Sequence, residues 1–176
     1  MRRDKMQLRL AQLEDLSDIL PIYESAIQLL AKQSSTQWQD GYGPTKENIQ
    51  VNILNQELYL LINDNQIMAL GTLQAGVDPV YSAIIGQWKG TNNYLSIHRI
   101  SVNPLVRQKG YAKKLLQALI LQGRKFGYHD FRIDTHRLNI GMQKAILDTG
   151  FQFCGEIYFP IPDGHRYAYQ LYDKVD

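Results

Sequence analysis

One cysteine, Cys154, is all the thiol chemistry that 176 residues contain. That excludes an internal disulfide framework and a cysteine-based metal cluster, so no metal is expected. Cys154 follows Phe151 and Phe153, which predicts a buried, inert thiol rather than a nucleophile. Long apolar runs are also missing. The longest, Leu58 to Ile62, is far too short to cross a bilayer, so no membrane partner is expected. The opening MRRDKMQLRL has basic residues but lacks the apolar segment of a signal peptide, and a cytoplasmic location is the expectation. No repeat, low-complexity segment or linker interrupts the chain. Residues 1–176 therefore read as one domain, long enough for a continuous core.

Negative charge is missing from one stretch. The net charge is only +2, so bulk charge argues for neither nucleic acid nor a membrane surface. From Pro79 to His129, however, there is no Asp or Glu, while Lys89, Arg99, Arg107, Lys109, Lys113, Lys114, Arg124 and Lys125 all lie within. Such a segment suits an anionic ligand, against the plainer reading of a solvated basic face. Nucleic-acid binding is disfavoured, because neither an aromatic stacking series nor a recognised motif accompanies the charge. Two familiar phosphate loops are absent as well: the chain has no GxxxxGK[ST] run and no GxGxxG.

What is present alternates between the periods of strand and helix. Met6 to Leu10 alternates apolar and polar as a strand does. Leu13, Leu16, Ile19, Leu20, Tyr23, Ile27 and Leu30 recur at helical spacing, with a kink or break expected at Pro21. A loop carrying Trp38 and Tyr42 leads to a second helix after Thr45. A hairpin follows, with strands Leu58 to Ile62 and Gln66 to Leu73 around Asn63-Asp64-Asn65. After an irregular stretch containing Asp78-Pro79 come a strand over Tyr94 to Val102 and a helix reaching about Phe126. Then follow a strand over Phe131 to Thr135, a helix over Asn139 to Asp148, and a strand over Phe151 to Phe159. The turn signal Asp163-Gly164 opens a last strand, Tyr167 to Tyr172. The order is mixed α/β, with strand–helix–strand units in the second half.

Two local features carry chemistry. In YLSIHRISV, Leu95 and Ile97 are apolar on one parity, and Ile100 and Val102 on the other. A β-bulge near His98-Arg99 would return both pairs to one core face and free backbone N–H groups; a strand buried on both faces needs no parity at all. Downstream, VRQKGYA precedes the helical stripe Ala112, Leu115, Leu116, Leu119 and Ile120. The stripe fixes the helix against a sheet and leaves the N–H groups of Gln108 to Ala112 at its positive end, where phosphate binds readily. Gly110 lets the backbone approach an anion, and Arg107, Lys109 and Lys113 add charge.

Taken together, IHRISVNPLVRQKGYAKKLL resembles the acetyl-CoA-binding core of the GNAT superfamily of N-acetyltransferases. That family sets a bulged strand before a [RQ]-x-x-G-x-[GA] turn and a long helix, and here Arg107, Gly110 and Ala112 occupy the defining positions. FRIDTHRLNIGMQKAILDTGF resembles the family's next strand, its helix starting near an Asn, and its closing GF. The resemblance implies an α/β (α+β) fold with a mixed, mostly antiparallel sheet, flanked by helices and splayed at the bulge. It implies acetyl-CoA as co-substrate. Backbone groups of Ile100, Ser101 and Val102 would take the pantetheine arm. The amides of Gln108, Lys109, Gly110, Tyr111 and Ala112, with the Arg107 side chain, would take the pyrophosphate. Asn139 would contact the CoA arm, with Met142 and Lys144 nearby; Asn139 is equally well read as a helix N-cap.

The implied chemistry is direct attack of an amine on the thioester. The Ile100 N–H would polarise the carbonyl. His98, beside the bulge and with a near-neutral reference pKa, is a candidate base. Asp134 and His136 end the neighbouring strand and would orient the amine or relay a proton. For each of these, a structural hydrogen bond is the competing reading. Many family members carry a Tyr in the helix before the GF turn as general acid. Here Ile146 stands there, leaving solvent or another residue such as Tyr158. Trp38 and Tyr42 are candidates for an acceptor wall, against a role as core caps. The expected acceptor is a small-molecule primary amine, and a homodimer stays open. A second reading, favoured by Ile146, is a non-catalytic acyl-CoA sensor or interaction module.

Overall fold

A computed structural model of the chain describes residues 6–175. Within them the strands are β1 (Gln7–Leu10), β2 (Leu58–Asn63), β3 (Gln66–Ala75), β4 (Ile85–Gly86), β5 (Leu95–Val102), β6 (Asp130–Thr135), β7 (Gln152–Tyr158) and β8 (His165–Tyr172). The helices are α1 (Leu16–Lys32), α2 (Lys46–Leu54), α3 (Pro79–Ser82), α4 (Tyr111–Lys125) and α5 (Ile140–Thr149). All eight strands form one sheet in the order β1-β2-β3-β5-β6-β8-β7-β4. Every neighbouring pair is antiparallel except β5 and β6, which are parallel. That exception follows from α4, which is the crossover joining them.

Helices cover both faces. On one, Ile19, Ile22 and Tyr23 of α1 and Ile49 and Ile53 of α2 pack on Leu58, Leu60 and Leu70. On the other, Leu115, Leu116, Leu119 and Ile120 of α4 and Ile146 of α5 pack on Tyr59, Leu61, Ile97, Phe131 and Ile133. The four α4 side chains are essentially sealed, and each contributes about 1.5–3 kcal/mol of apolar transfer. Their stripe fixes the rotation of α4 and so aims its N-terminus. Gly123 allows the close approach: a Cβ there would overlap the Phe131 ring.

The sequence boundaries hold to within a few residues, with three differences. Pro21 does not break α1, which runs from Leu16 to Lys32; residue 21 is exposed, so its ring meets solvent. The stretch around Asp78-Pro79 contains α3 and the two-residue β4. Their fixing contacts are long-range: Tyr81 packs with Tyr94, Ile157 and Ala168, and β4 pairs with β7. Cys154 is only partly buried, though burial still raises its thiol above the usual range.

Candidate functional site

The parity slip in β5 is a bulge. Leu70 pairs with Ser101 and Thr72 with His98, so Gly71 alone faces both Arg99 and Ile100. Ile100 and Val102 thereby pack against the same cluster as Leu95 and Ile97. Arg99 adopts φ 54°, a left-handed conformation that costs a non-glycine residue about 1–3 kcal/mol. Two hydrogen bonds hold the distorted backbone. The Tyr23 hydroxyl donates to the Arg99 carbonyl (2.9 Å), and the Thr72 hydroxyl to the His98 carbonyl (3.1 Å). Gly71 makes room, since a Cβ there would overlap Ile100 Cδ1.

On its other side β5 parts from β6. The two pair only over Leu95–Ile97 and Phe131–Ile133, and beyond that point they diverge around a cleft of about 980 Å³. Ser101 on β5 and Thr135 on β6 both line it, and their buried hydroxyl oxygens lack any hydrogen-bond partner among the described residues. Unsatisfied buried hydroxyls are costly, so paired orphans on two parted strands fit a polar chain lying between them.

The N-terminus of α4 opens on the same cleft. Gln108 (φ 63°) and Gly110 (φ 76°) are left-handed, which turns the chain into the helix. Space in front of Gly110 is open, the first turn of α4 carries no acid, and its leading N–H groups have no intrahelical acceptor. Ile100, Ser101, Val102, Arg107, Gln108, Gly110, Tyr111, Ala112, Asn139, Met142 and Lys144 all line the cleft; Lys109 does not. Arg107 is held by a 2.8 Å bond to Ser25 of α1. Asn139 caps α5 by accepting from the Met142 N–H at 3.3 Å, so it serves as N-cap and lines the cleft together. Lys144 pairs with Asp148 one turn on.

At the other end stand the polar groups suited to an acceptor. His98 Nδ1 lies 3.6 Å from Asp134 Oδ1, which also accepts a 2.7 Å bond from the buried Tyr81 hydroxyl. Burial raises the Asp134 carboxyl above its usual range, against the pull of His98, Tyr81 and Arg166. Burial, reinforced by Asp134, pushes the Tyr81 phenol well up, so it stays protonated and donates. Trp38 and Tyr42 line this end on one side and Phe159 and Ile161 on the other. Trp38 also packs edge-on against Tyr23, with centroids 6.1 Å apart, so it caps the core and walls the cleft at once. The two walls are tied, because the Thr36 hydroxyl donates to Asp163 across them.

Residues 23–151 match the Acetyltransferase (GNAT) family. The chain belongs to that family. A GNAT-family acetyltransferase from Streptococcus agalactiae is 34% identical and superposes with a TM-score of 0.83, covering 98% of this chain and 99% of that one. yncA from Salmonella typhimurium, solved with its cofactor acetyl-CoA, shares the fold at TM-score 0.67 and 17% identity, over 95% and 93% of the two chains. A [ribosomal protein bS18]-alanine N-acetyltransferase from Haemophilus ducreyi is 34% identical over 73 residues, 40% of this chain. The chain spans 50% of the length of that curated relative.

Besides Lys109, two sequence candidates do not reach the GNAT cleft. Tyr158 is 54% exposed on β7 and stacks on His165 with centroids 5.0 Å apart. β7 lies beyond β8, so its side chains are a strand removed from the β5–β6 opening. His136 is fully buried; its Nδ1 accepts from the Leu138 N–H (3.2 Å), leaving Nε2 to donate to Asp163 (2.9 Å). That arrangement anchors the tie between the walls and presents no ring nitrogen to the cleft. Ile146 is sealed in the core. Tyr81 and Arg166 were not among the sequence candidates. Tyr81 sits in a stretch without periodicity. Arg166 shares its sheet face with the buried Ala168 and Gln170, a parity that is mostly polar in sequence, so no local pattern marks it as buried.

Proposed function

We propose that the chain transfers the acetyl group of acetyl-CoA to a primary amine of a small molecule by direct attack on the thioester. The observation that carries this reading is the parting of β5 from β6 beside the bulge, with the α4 N-terminus on the same opening. Backbone groups of Ile100 to Val102 and the hydroxyls of Ser101 and Thr135 suit the amide-bearing arm of CoA. The Gln108–Ala112 amides and Arg107 suit its pyrophosphate. Acetyl-CoA supplies an activated acyl group. The chain's part is to hold it, place an amine beside it and move protons.

The acceptor nitrogen bonds to the acetyl carbon as the carbon–sulfur bond breaks with its electron pair on sulfur. Of the ammonium protons, one remains on the amide, one ends on the thiol and one is released. His98 is the group suited to take the released proton, with Asp134 orienting its ring and Tyr81 fixing Asp134. The Ile100 amide, at the bulge, is the donor suited to polarise the carbonyl. Sulfur leaves as a thiolate of modest basicity, so solvent protonation suffices in the absence of a Tyr at position 146. The tie between Thr36 and Asp163 narrows the acceptor end, which favours a small amine over a folded protein surface. One domain over residues 1–176 and a cytoplasmic location belong to the same reading.

The test is release of free thiol from acetyl-CoA with a panel of small amines and amino-terminal peptides, using wild-type and Gly110→Asp protein. Wild-type protein is expected to bind acetyl-CoA by calorimetry and release thiol with small amines. Gly110→Asp adds bulk and negative charge before the cradle and should abolish binding. Binding without release for any amine would support the sensor reading instead, and unchanged affinity in Gly110→Asp would remove the cradle.

A further inference from the structure

Arg166 is a buried cation on the acceptor side, and its hydrogen bonding is incomplete. It is 5% exposed and lines the cleft. Its Nη1 donates to the carbonyls of Asp163 (2.8 Å) and His165 (2.7 Å). Its Nε and Nη2 have no partner among the described residues, yet neither is sealed from solvent. Those two nitrogens form the edge of the guanidinium that matches a carboxylate two-for-two. The same molecule uses that edge twice: Arg124 presents Nε and Nη2 to Asp173 (2.8 and 2.9 Å), and Arg132 presents them to Asp130 (3.3 and 2.8 Å). In Arg166 the edge is open.

The same cleft also carries acceptors suited to a cation. Asp134 lies within electrostatic reach of Arg166 and beside His98. Gln37, itself nine-tenths buried, lines the same cleft with an Oε1 that lacks a partner among the described residues. An open cationic edge and groups suited to a cation thus line one cleft. We propose that the acceptor is a small amine that also carries a carboxylate, as an amino acid does. Its carboxylate sits on the Nε–Nη2 edge of Arg166 and its amine lies toward Asp134 and His98. A phosphate would suit the guanidinium too, but the carboxylates of Asp134 and Asp163 near it disfavour a dianion.

This substrate class rests on the acetyl-transfer reading above, and the experiment separates the two. Thiol release is followed with the proteinogenic L-amino acids and, in parallel, their carboxamides, which keep the amine and lose the negative charge. Acetyl-CoA binding is measured alongside by calorimetry. The expected result is an acid preferred over its amide in kcat/KM by about 10- to 100-fold, the scale of a lost hydrogen-bonded charge partner. Arg166→Gln should erase that preference through KM with little change in kcat, and Arg166→Lys should restore part of it. Acetyl-CoA affinity should be unchanged in both, which also reports that they fold. If acetyl-CoA binds and no acid is preferred, through equal rates or no rate at all, this proposal fails. So it does if Arg166→Gln keeps the preference. If acetyl-CoA does not bind, the reading beneath it fails first.

Discussion

Replacing Gly71 by alanine adds one methyl group at the point where the bulge is made. The residue is not in the left-handed region, so alanine is compatible with its backbone. The new Cβ would overlap Ile100 Cδ1, while its next neighbours, the His98 carbonyl oxygen and Ile100 Cγ1, stay at an ordinary 3.5 Å. The conflict is therefore with the tip of one flexible side chain. Overpacking costs about 1–3 kcal/mol, and a yielding tip puts this case at the lower end, about 1 kcal/mol. For a chain of this size that is a fall of about 2–4 °C in Tm. Activity should fall further, because Ile100 turns toward the cleft or carries the bulge amide with it. A misplacement near 1 Å at a reacting centre can cost about 100-fold. Thermal unfolding and thiol release, measured on the same preparations, should show this split. The decisive variant is the pair Gly71→Ala with Ile100→Val, since valine lacks Cδ1. Alone, Ile100→Val in this half-buried position should cost no more than about 0.5–1.5 kcal/mol. Combined, it should return most of the activity lost in Gly71→Ala, a coupling that a double-mutant cycle reads directly. If the pair is as slow as the sum of its parts, the overlap is not what links Gly71 to catalysis.

Two further predictions concern protons. His98→Ala should lower kcat and flatten the rate–pH profile near neutrality; a profile merely scaled down and parallel to wild type removes His98 as the base. Asp163 is held at a pKa of about 2, below the ordinary carboxylate value, chiefly by the Thr36 hydroxyl and then by His136. A depressed carboxylate adds stability above its unfolded pKa and loses it as pH falls toward its folded one. The Tm gap between wild type and Asp163→Asn should thus be constant above about pH 5 and shrink from about pH 4 to pH 2. A gap that stays constant through that window refutes the tie between the walls.

Much of the bulge and of the α4 N-terminus was legible in the chain itself, because their signals are local. The bulge was visible as a parity slip between Ile97 and Ile100. The turn into α4 was visible as Arg107, Gly110 and Ala112 set before a leucine stripe. The other end of the cleft was not legible in the same way. Tyr158 and His136 looked available in sequence, yet one points out from β7 and the other is bonded to Asp163 within the fold. Tyr81 and Arg166 carried weak signals, because much of what surrounds them comes from distant strands: Tyr94, Ile157 and Ala168 for Tyr81, and Asp134 for Arg166.

The sequence by itself determined the order of the elements apart from α3 and β4, the register change in β5 and the direction of α4. Each follows from the period of apolar residues over a few turns or strand pairs, and from glycine where the backbone turns left-handed. Only the tertiary structure decided which charges meet. Asp134 reaches His98 and Tyr81 from another strand, Asp163 joins Thr36 across 127 positions, and Arg166 is left with an open edge beside them. The physical reason is that a strand's period sets the face on which a side chain stands. What it touches there depends on strand order and on where two strands part.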